Sequence, residues 1–200
     1  MGRLKGTQTL KNLMQAYVGE SQARNRYTFW ASKAKKEGFV QIQDIFLETA
    51  ANEKEHGEVF YKYIAESELT GGEALTVPVD AEFPVAMSAS TYDNLMNAAA
   101  GEREEWSELY PTFAAVAKKE GFDDIAESFI RISVAELAHE TRYKKLADNL
   151  KTGRVFKREG DDIKWKCGNC GYIFEGPEAP ETCPACKHPR SYFELFVEAY

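Results

Sequence analysis

Apolar residues along the first 150 positions recur at steps of three and four, the period of a helix with one buried face. Leu10, Leu13, Tyr17, Arg24, Tyr27, Ala31 and Ala34 form one such stripe, with Glu20 filling its gap. Ile42, Phe46, Thr49, Phe60 and Ile64 form a second. Leu95, Ala98, Leu109, Phe113 and Val116 form a third, and Ile125, Phe129, Ile132, Tyr143 and Leu146 a fourth. Gly38 and Gly121 fall where each pair of helices must turn, and glycine takes the left-handed conformation that ends a helix. Short turns make each pair antiparallel. The pairs are joined by a long Gly/Pro-containing segment, roughly Leu69 to Ser90, so the pattern predicts a four-helix bundle with one long crossover.

The two halves are copies. VGESQARNRYTFWASKAKKEGFVQIQDIFLETAANEKEH ends at His56, and AGEREEWSELYPTFAAVAKKEGFDDIAESFIRISVAELAH ends at His139. Both carry Gly-Glu near the start, Ala-Lys-Lys-Glu-Gly-Phe in the middle and Glu-x-x-His at the end. Glu20 matches Glu102 at an offset of 82 and Glu53 matches Glu136 at 83, placing one extra residue near Pro111. Duplication of a helical hairpin explains the pattern. Lys35-Lys36-Glu37 and Lys118-Lys119-Glu120 are expected to be exposed helix ends.

The polar residues that interrupt the apolar stripes carry the chemistry. Glu20, Glu53, His56, Glu102, Glu105, Glu136 and His139 all fall on inward faces near mid-helix. Buried, unpaired carboxylates cost several kcal/mol each, on the order expected for an uncompensated charge, so they must protonate or meet cations. Arg24 is the one obvious inward-facing cation in the pattern. Two metal ions would balance the charge and use every ligand, and carboxylate mixed with imidazole suits iron or manganese. Glu105 has no acidic counterpart, since the equivalent position in the first half is Ala23. It is either a further metal ligand, making the two metals inequivalent, or a hydrogen-bond partner of a ligand. Tyr27 lies two turns beyond Glu20, and Tyr110 five residues beyond Glu105. Each is a candidate hydrogen-bond donor to a metal ligand or to bound oxygen species, or simply a core tyrosine.

A charged strip, 153–162, separates the bundle (1–152) from a C-terminal piece (163–200). All four cysteines lie in that piece, as Cys167-x2-Cys170 and Cys183-x2-Cys186. The spacing is that of a tetrahedral four-thiolate metal site. A segment of this size cannot fold on a hydrophobic core alone, so the metal must hold it together. Tyr172, Phe174, Tyr192 and Phe193 are expected to pack around it, with His188 outside the ligand set. Four thiolates accept iron or zinc.

Composition narrows the function. Hydrophobic residues at 44% fill a core, and a net charge of -7 argues against a sequence-independent grip on nucleic acid. The C-terminal piece is itself acidic, with four Lys/Arg against seven Asp/Glu from Asp161 to Tyr200. The chain has no apolar run long enough to span a membrane, no secretory h-region at its start, and Gly6 where a myristoylation signal needs Ser or Thr. A soluble, cytoplasmic protein is expected. No Gly-x-Gly-x-x-Gly is present, so no dinucleotide site is expected.

With Gly19-Glu20, Gly101-Glu102, Glu53-x-x-His56, Glu136-x-x-His139 and Glu105, the first 150 residues resemble the rubrerythrin family. The tail, with Cys167-Gly-Asn-Cys170-Gly-Tyr172 and Cys183-Pro-Ala-Cys186, resembles rubredoxin. The resemblance covers nearly the whole chain; the crossover, with Val77-Pro78 and Phe83-Pro84, looks longer than the family's. It implies a ferritin-like bundle and a non-haem di-iron peroxidase that reduces hydrogen peroxide to water in oxidative-stress defence. It implies two irons on Glu20, Glu53, Glu102, Glu105, Glu136 and His139, with His56 replacing Glu105 on reduction. Glu105, His56, Tyr27 and Tyr110 are then the candidate catalytic residues. It further implies a third iron on Cys167, Cys170, Cys183 and Cys186, a separate reductase or rubredoxin linking the chain to NADH or NADPH, and a homodimer that brings one chain's tail near the other's di-iron site. A ferroxidase or iron-storage protein with a zinc ribbon, an oxygenase, and a zinc-ribbon adaptor are the competing readings.

Overall fold

A computed structural model of the chain describes residues 4–65, 76–85 and 90–198. Helix α1 spans Gln8–Lys36 and α2 Val40–Ala65. A third rod is built of α3 (Thr91–Glu104), a π-helical turn (Glu105–Leu109) and α4 (Tyr110–Lys119), and α5 covers Asp123–Lys151. Helix α1 packs along α2, and the third rod along α5. Of the expected crossover, 76–85 and Ser90 fall within the described residues; the remainder lies outside them.

Both hairpins turn in the same way. Gly38 and Gly121 take φ of 85° and 86°, which a side chain would strain. The amide after each reaches back to close the last helical turn, Phe39 N to Ala34 O and Phe122 N to Ala117 O, both at 2.9 Å. The two Lys-Lys-Glu runs are exposed, but their glutamates do more than solvate a helix end. Glu120 accepts hydrogen bonds from Gln8 N (3.0 Å), Thr9 N (2.8 Å) and Thr9 Oγ1 (2.6 Å). Glu37 accepts from Thr91 N (2.8 Å) and Thr91 Oγ1 (2.5 Å). Each half thus caps the first helix of the other with a carboxylate, where unpaired amides and the helix dipole favour negative charge.

The extra residue of the second half is absorbed in the π-turn at 105–109, ahead of Pro111. There the amide of Tyr110 bonds to the carbonyl of Glu105, five residues back. The turn resets the helical phase. Tyr110, Phe113, Ala114 and Ala117 become buried, while Leu109 and Val116 of the expected stripe are half-buried. Trp106 in this turn donates to Glu140 Oε2 at 2.6 Å, tying it to α5. Arg24 does not face inward: it is exposed, and Ala23 takes the buried position beside it.

The core is in two parts. One surrounds Leu13, Phe60, Tyr110 and Phe129, and the other Tyr27, Trp30, Phe46, Leu95 and Tyr143. Each fully buried Phe or Leu contributes about 1.5–3 kcal/mol. Glu20, Glu53, Glu102, Glu136 and His139 are all buried, within the same helices that build both parts.

The tail forms a three-stranded antiparallel sheet, with β1 (Lys164–Cys167) between β2 (Ile173–Glu175) and β3 (Phe193–Leu195). Trp165, Cys167, Ala179, Cys183 and Phe193 make its small core, joined by Phe156, Phe174 and Tyr192. Tyr172, expected in that core, is 37% exposed; Trp165 takes the central place. Phe156 lies in the strip after α5 and also stacks on Phe39 at the α1–α2 turn, with ring centroids 6.3 Å apart. The tail therefore rests at the end of the bundle. Glu53 lies well inside α2, roughly 20 Å from that end at about 1.5 Å per residue.

Candidate metal centre

Helix periodicity delivers the carboxylates to one layer. On α2 and α5 the Glu-x-x-His spacing turns both side chains to one face, and α1 and α3 each add a glutamate. The result is two overlapping clusters. Glu20, Glu53, His56 and Glu136 form one, and Glu53, Glu102, Glu136 and His139 the other. Within each, one ligand atom from every residue lies within 4.8 Å of the rest. Glu53 and Glu136 belong to both, as shared carboxylates between two metal ions must.

Contacts within the layer are short without being well-formed hydrogen bonds. His139 Nδ1 lies 2.9 Å from Glu136 Oε2, 3.3 Å from Glu53 Oε1 and 3.4 Å from Glu102 Oε2. His56 Nδ1 lies 2.9 Å from both Glu53 Oε2 and Glu136 Oε1, and 3.8 Å from Glu20 Oε1. Of these contacts, the one to Glu53 Oε2 has hydrogen-bond geometry. Glu20 Oε2, Glu53 Oε1, Glu102 Oε2, both Glu136 oxygens and His139 Nδ1 are buried and have no hydrogen-bond partner. Buried polar atoms are ordinarily paired, so this concentration of exceptions fits atoms directed at shared metal ions.

Electrostatics agree. Burial, then repulsion from Glu136 and Glu53, pushes the Glu20 carboxyl well up. Burial and Glu53 push Glu102 up to about 8. Burial disfavours charge on the imidazoles, but nearby Glu136 and Glu53 outweigh it at His56, raised to about 10. At His139, Glu102, Glu136 and Glu53 outweigh burial in the same way and raise it to about 12. The layer demands positive charge, and among the described residues only the imidazoles supply it from within.

Two tyrosines buttress the layer in crossed fashion. Tyr27 donates to Glu102 Oε1 and Tyr110 donates to Glu20 Oε1, both at 2.5 Å. Each reaches the glutamate of the opposite half. Burial, then Glu102 for Tyr27 and Glu105 for Tyr110, holds both phenols well above their ordinary range, so they remain donors.

Glu105 stands apart from both clusters. It opens the π-turn, and its Oε1 lies 4.0 Å from where a Cβ on Gly19 would sit. Burial, then Glu102 and Glu136, raises its carboxyl, while Arg26 opposes the rise. The nearby cation is thus Arg26, two residues from the one the sequence pattern suggested.

In the tail the four sulfurs lie within 4.8 Å of one another, with Cys167–Cys186 at 3.8 Å and Cys170–Cys183 at 3.7 Å. These distances are too long for disulfides and match the edge of an S4 tetrahedron, about 3.8 Å for a metal–sulfur bond of ~2.3 Å. His188 stays outside, its ring against Tyr192 and its Nδ1 3.3 Å from Cys186 O.

Fold and site together define a ferritin-like bundle protein with a carboxylate–histidine dimetal site and a tetra-cysteine metal domain. Comparison with known proteins narrows the class. The rubrerythrin family description matches residues 11–147, and that of the rubrerythrin rubredoxin-like domain matches residues 165–194. Rubrerythrin of Clostridium perfringens (strain 13 / Type A) is 53% identical over 200 residues, covering 100% of both chains. A solved nigerythrin, in a mixed-valent state, is 32% identical with a TM-score of 0.62, over 98% of this chain and 92% of that one. A Desulfovibrio desulfuricans bacterioferritin, 22% identical over 73% of this chain and 81% of that one, shares the fold at a TM-score of 0.62. The chain belongs to the rubrerythrin family, whose members bind iron.

Proposed function

We propose that the protein is a di-iron peroxidase that converts hydrogen peroxide, two electrons and two protons into two molecules of water. The observation that carries this reading is the pairing, in one chain, of a shared-carboxylate dimetal layer with an S4 site suited to one-electron transfer. Iron held by the carboxylate–histidine layer would supply two-electron reduction of the O–O bond, and iron held by Cys167, Cys170, Cys183 and Cys186 would supply one-electron transfer. A ferroxidase needs the first site but has no use for the second.

The protein's own groups have distinct tasks on this reading. Glu53 and Glu136 would be shared between the metals, Glu20 and His56 would hold one, and Glu102 and His139 would hold the other. Tyr27 and Tyr110 keep Glu102 and Glu20 in orientation and stay protonated. Glu105 lies between the layer and a small pocket, with its carboxyl raised by burial and Glu102, and carries protons toward the reacting oxygens. On this reading His56 would replace Glu105 as a ligand when the metals are reduced. Within one chain the tail sits at the bundle's end, which favours electron delivery from the tail of a partner in a homodimer. A separate reductase or rubredoxin is the expected donor. Among the described residues no helix is long and apolar enough to cross a membrane.

The test is anaerobic rapid-mixing reoxidation of the iron-loaded, reduced protein. Fast reoxidation by peroxide, slow reoxidation by dioxygen and bleaching and return of a thiolate–iron absorption band support the peroxidase. Faster reaction with dioxygen and retention of a ferric mineral would establish the ferroxidase instead.

A further inference from the structure

We infer that segment 76–85 is a strap forming a size filter over the access route to Glu105, with Phe83 the residue that restricts the protein to hydrogen peroxide and excludes bulky organic hydroperoxides. This rests on the peroxidase reading and specifies its substrate class. The pocket beside Glu105 has a volume of about 70 Å³, whereas three other surface pockets measure about 470, 520 and 540 Å³. A water molecule needs only about 10–15 Å³ of such space, so the pocket suits a small molecule better than a bulky one.

Phe83 makes it narrow. The half-buried ring comes from the segment 76–85, and its Cε1 lies 3.8 Å from the position of a Cβ on Gly19. Glu105 Oε1 approaches the same point at 4.0 Å. Gly19, Phe83 and Glu105 therefore meet around one passage, and Tyr110, which holds Glu20, lines it as well. The strap is anchored there. Arg26 Nη1 donates to Pro84 O at 3.3 Å and also to Gln22 Oε1, while its guanidinium lies 5.8 Å from the Trp30 ring centre. Arg26 Nη2 also covers Gly101, the repeat counterpart of Gly19, at 3.9 Å from a Cβ built there. One repeat glycine is covered by an arginine, and the other opens on the carboxylate that has no counterpart in the first half. Arg26 is on this reading a positioning residue for the strap.

Reoxidation of the reduced, iron-loaded protein by hydrogen peroxide and by cumene hydroperoxide, with and without Phe83→Ala, tests the filter. The unaltered protein is expected to prefer hydrogen peroxide by about a hundredfold, and Phe83→Ala to cut that preference about tenfold by admitting the larger reagent. Equal rates for the two peroxides in the unaltered protein, or an unchanged ratio in the variant, would overturn the inference. A second readout does not depend on turnover. A thiol placed by Gly19→Cys in the iron-loaded protein is expected to react with a small methanethiosulfonate but slowly with a bulky maleimide, with labelling mapped by mass spectrometry. Adding Phe83→Ala should speed the maleimide about tenfold, and an unchanged labelling rate would dismiss the filter. Failure of hydrogen peroxide to reoxidise the protein at all refutes the peroxidase reading, and the labelling then still decides whether Phe83 restricts the passage.

Discussion

Replacing Tyr110 by Phe removes one oxygen and almost nothing else. Tyr110 is fully buried, its ring packs 5.6 Å from Phe60 and 5.8 Å from Phe129, and phenylalanine retains those contacts. What disappears is the 2.5 Å bond to Glu20 Oε1, and Glu20 is itself fully buried with its other oxygen already lacking a hydrogen-bond partner. Leaving a buried acceptor unmet costs about 1–3 kcal/mol. If Glu20 holds a metal, that cost appears as weaker binding of about 10- to 100-fold, the range seen when partners that orient metal ligands are lost. Tyr27→Phe should act alike through Glu102 Oε1, because Tyr27 is as buried and its bond is also 2.5 Å. The assay is iron retention against a graded chelator, with reoxidation by peroxide followed on the same samples. The two variants should lose iron to similar extents. Iron retained within about twofold of the unaltered protein in both would refute the assignment of these tyrosines as supports of the metal layer.

Other expectations concern the caps, the tail and Glu105. Glu37→Ala or Glu120→Ala should each cost about 1 kcal/mol, a fall of about 2–4 °C in melting temperature by calorimetry. Burial tends to raise both carboxyls, but the Thr91 and Thr9 hydrogen bonds outweigh it and hold them below their ordinary value of 4.5. Their stabilisation is therefore present at neutral pH and lost as pH falls through the folded-state value, so the gap between variant and unaltered protein must shrink in acid. A gap that does not narrow as acid protonates these carboxyls contradicts that assignment. Cys183→Ser should leave the tail without its tetrahedral site and open it to trypsin beyond Lys151, while the bundle's helical circular dichroism stays intact. A tail that remained protease-resistant would show that its small core suffices. Glu105→Leu is expected to keep the iron content while slowing peroxide-driven reoxidation about a hundredfold or more, and an unaltered rate would remove Glu105 from proton delivery.

The duplication explains a design feature that local reading misses. Tyr27 and Tyr110, Thr9 and Thr91, and Glu37 and Glu120 are paired positions of the repeat, and each interacts with the opposite half. A hairpin that once served two identical copies would make such crossed contacts by symmetry. The π-turn then breaks the equivalence on the α3–α4 side alone, at the turn that begins with Glu105.

Features that repeat at short range were legible along the chain. Helical period, the glycine turns at Gly38 and Gly121, the Glu-x-x-His pairs and the cysteine spacing are local because backbone geometry ties each to a fixed number of residues. The rest depended on which helices meet. Arg24 and Arg26 differ by two positions, or about 200° around a helix, and packing alone put Arg26 beside Glu105. Cross-half caps and crossed tyrosine bonds join residues 54 to 112 positions apart, where no local spacing carries information. A single inserted residue could have been a loop, a bulge or a shift in register; continuing hydrogen bonds and burial through α3 and α4 made it a π-turn. Phe83 reads as one more apolar residue in a crossover until the strap is laid against Gly19. Chain geometry fixed the candidate ligands, and tertiary contact fixed what surrounds them.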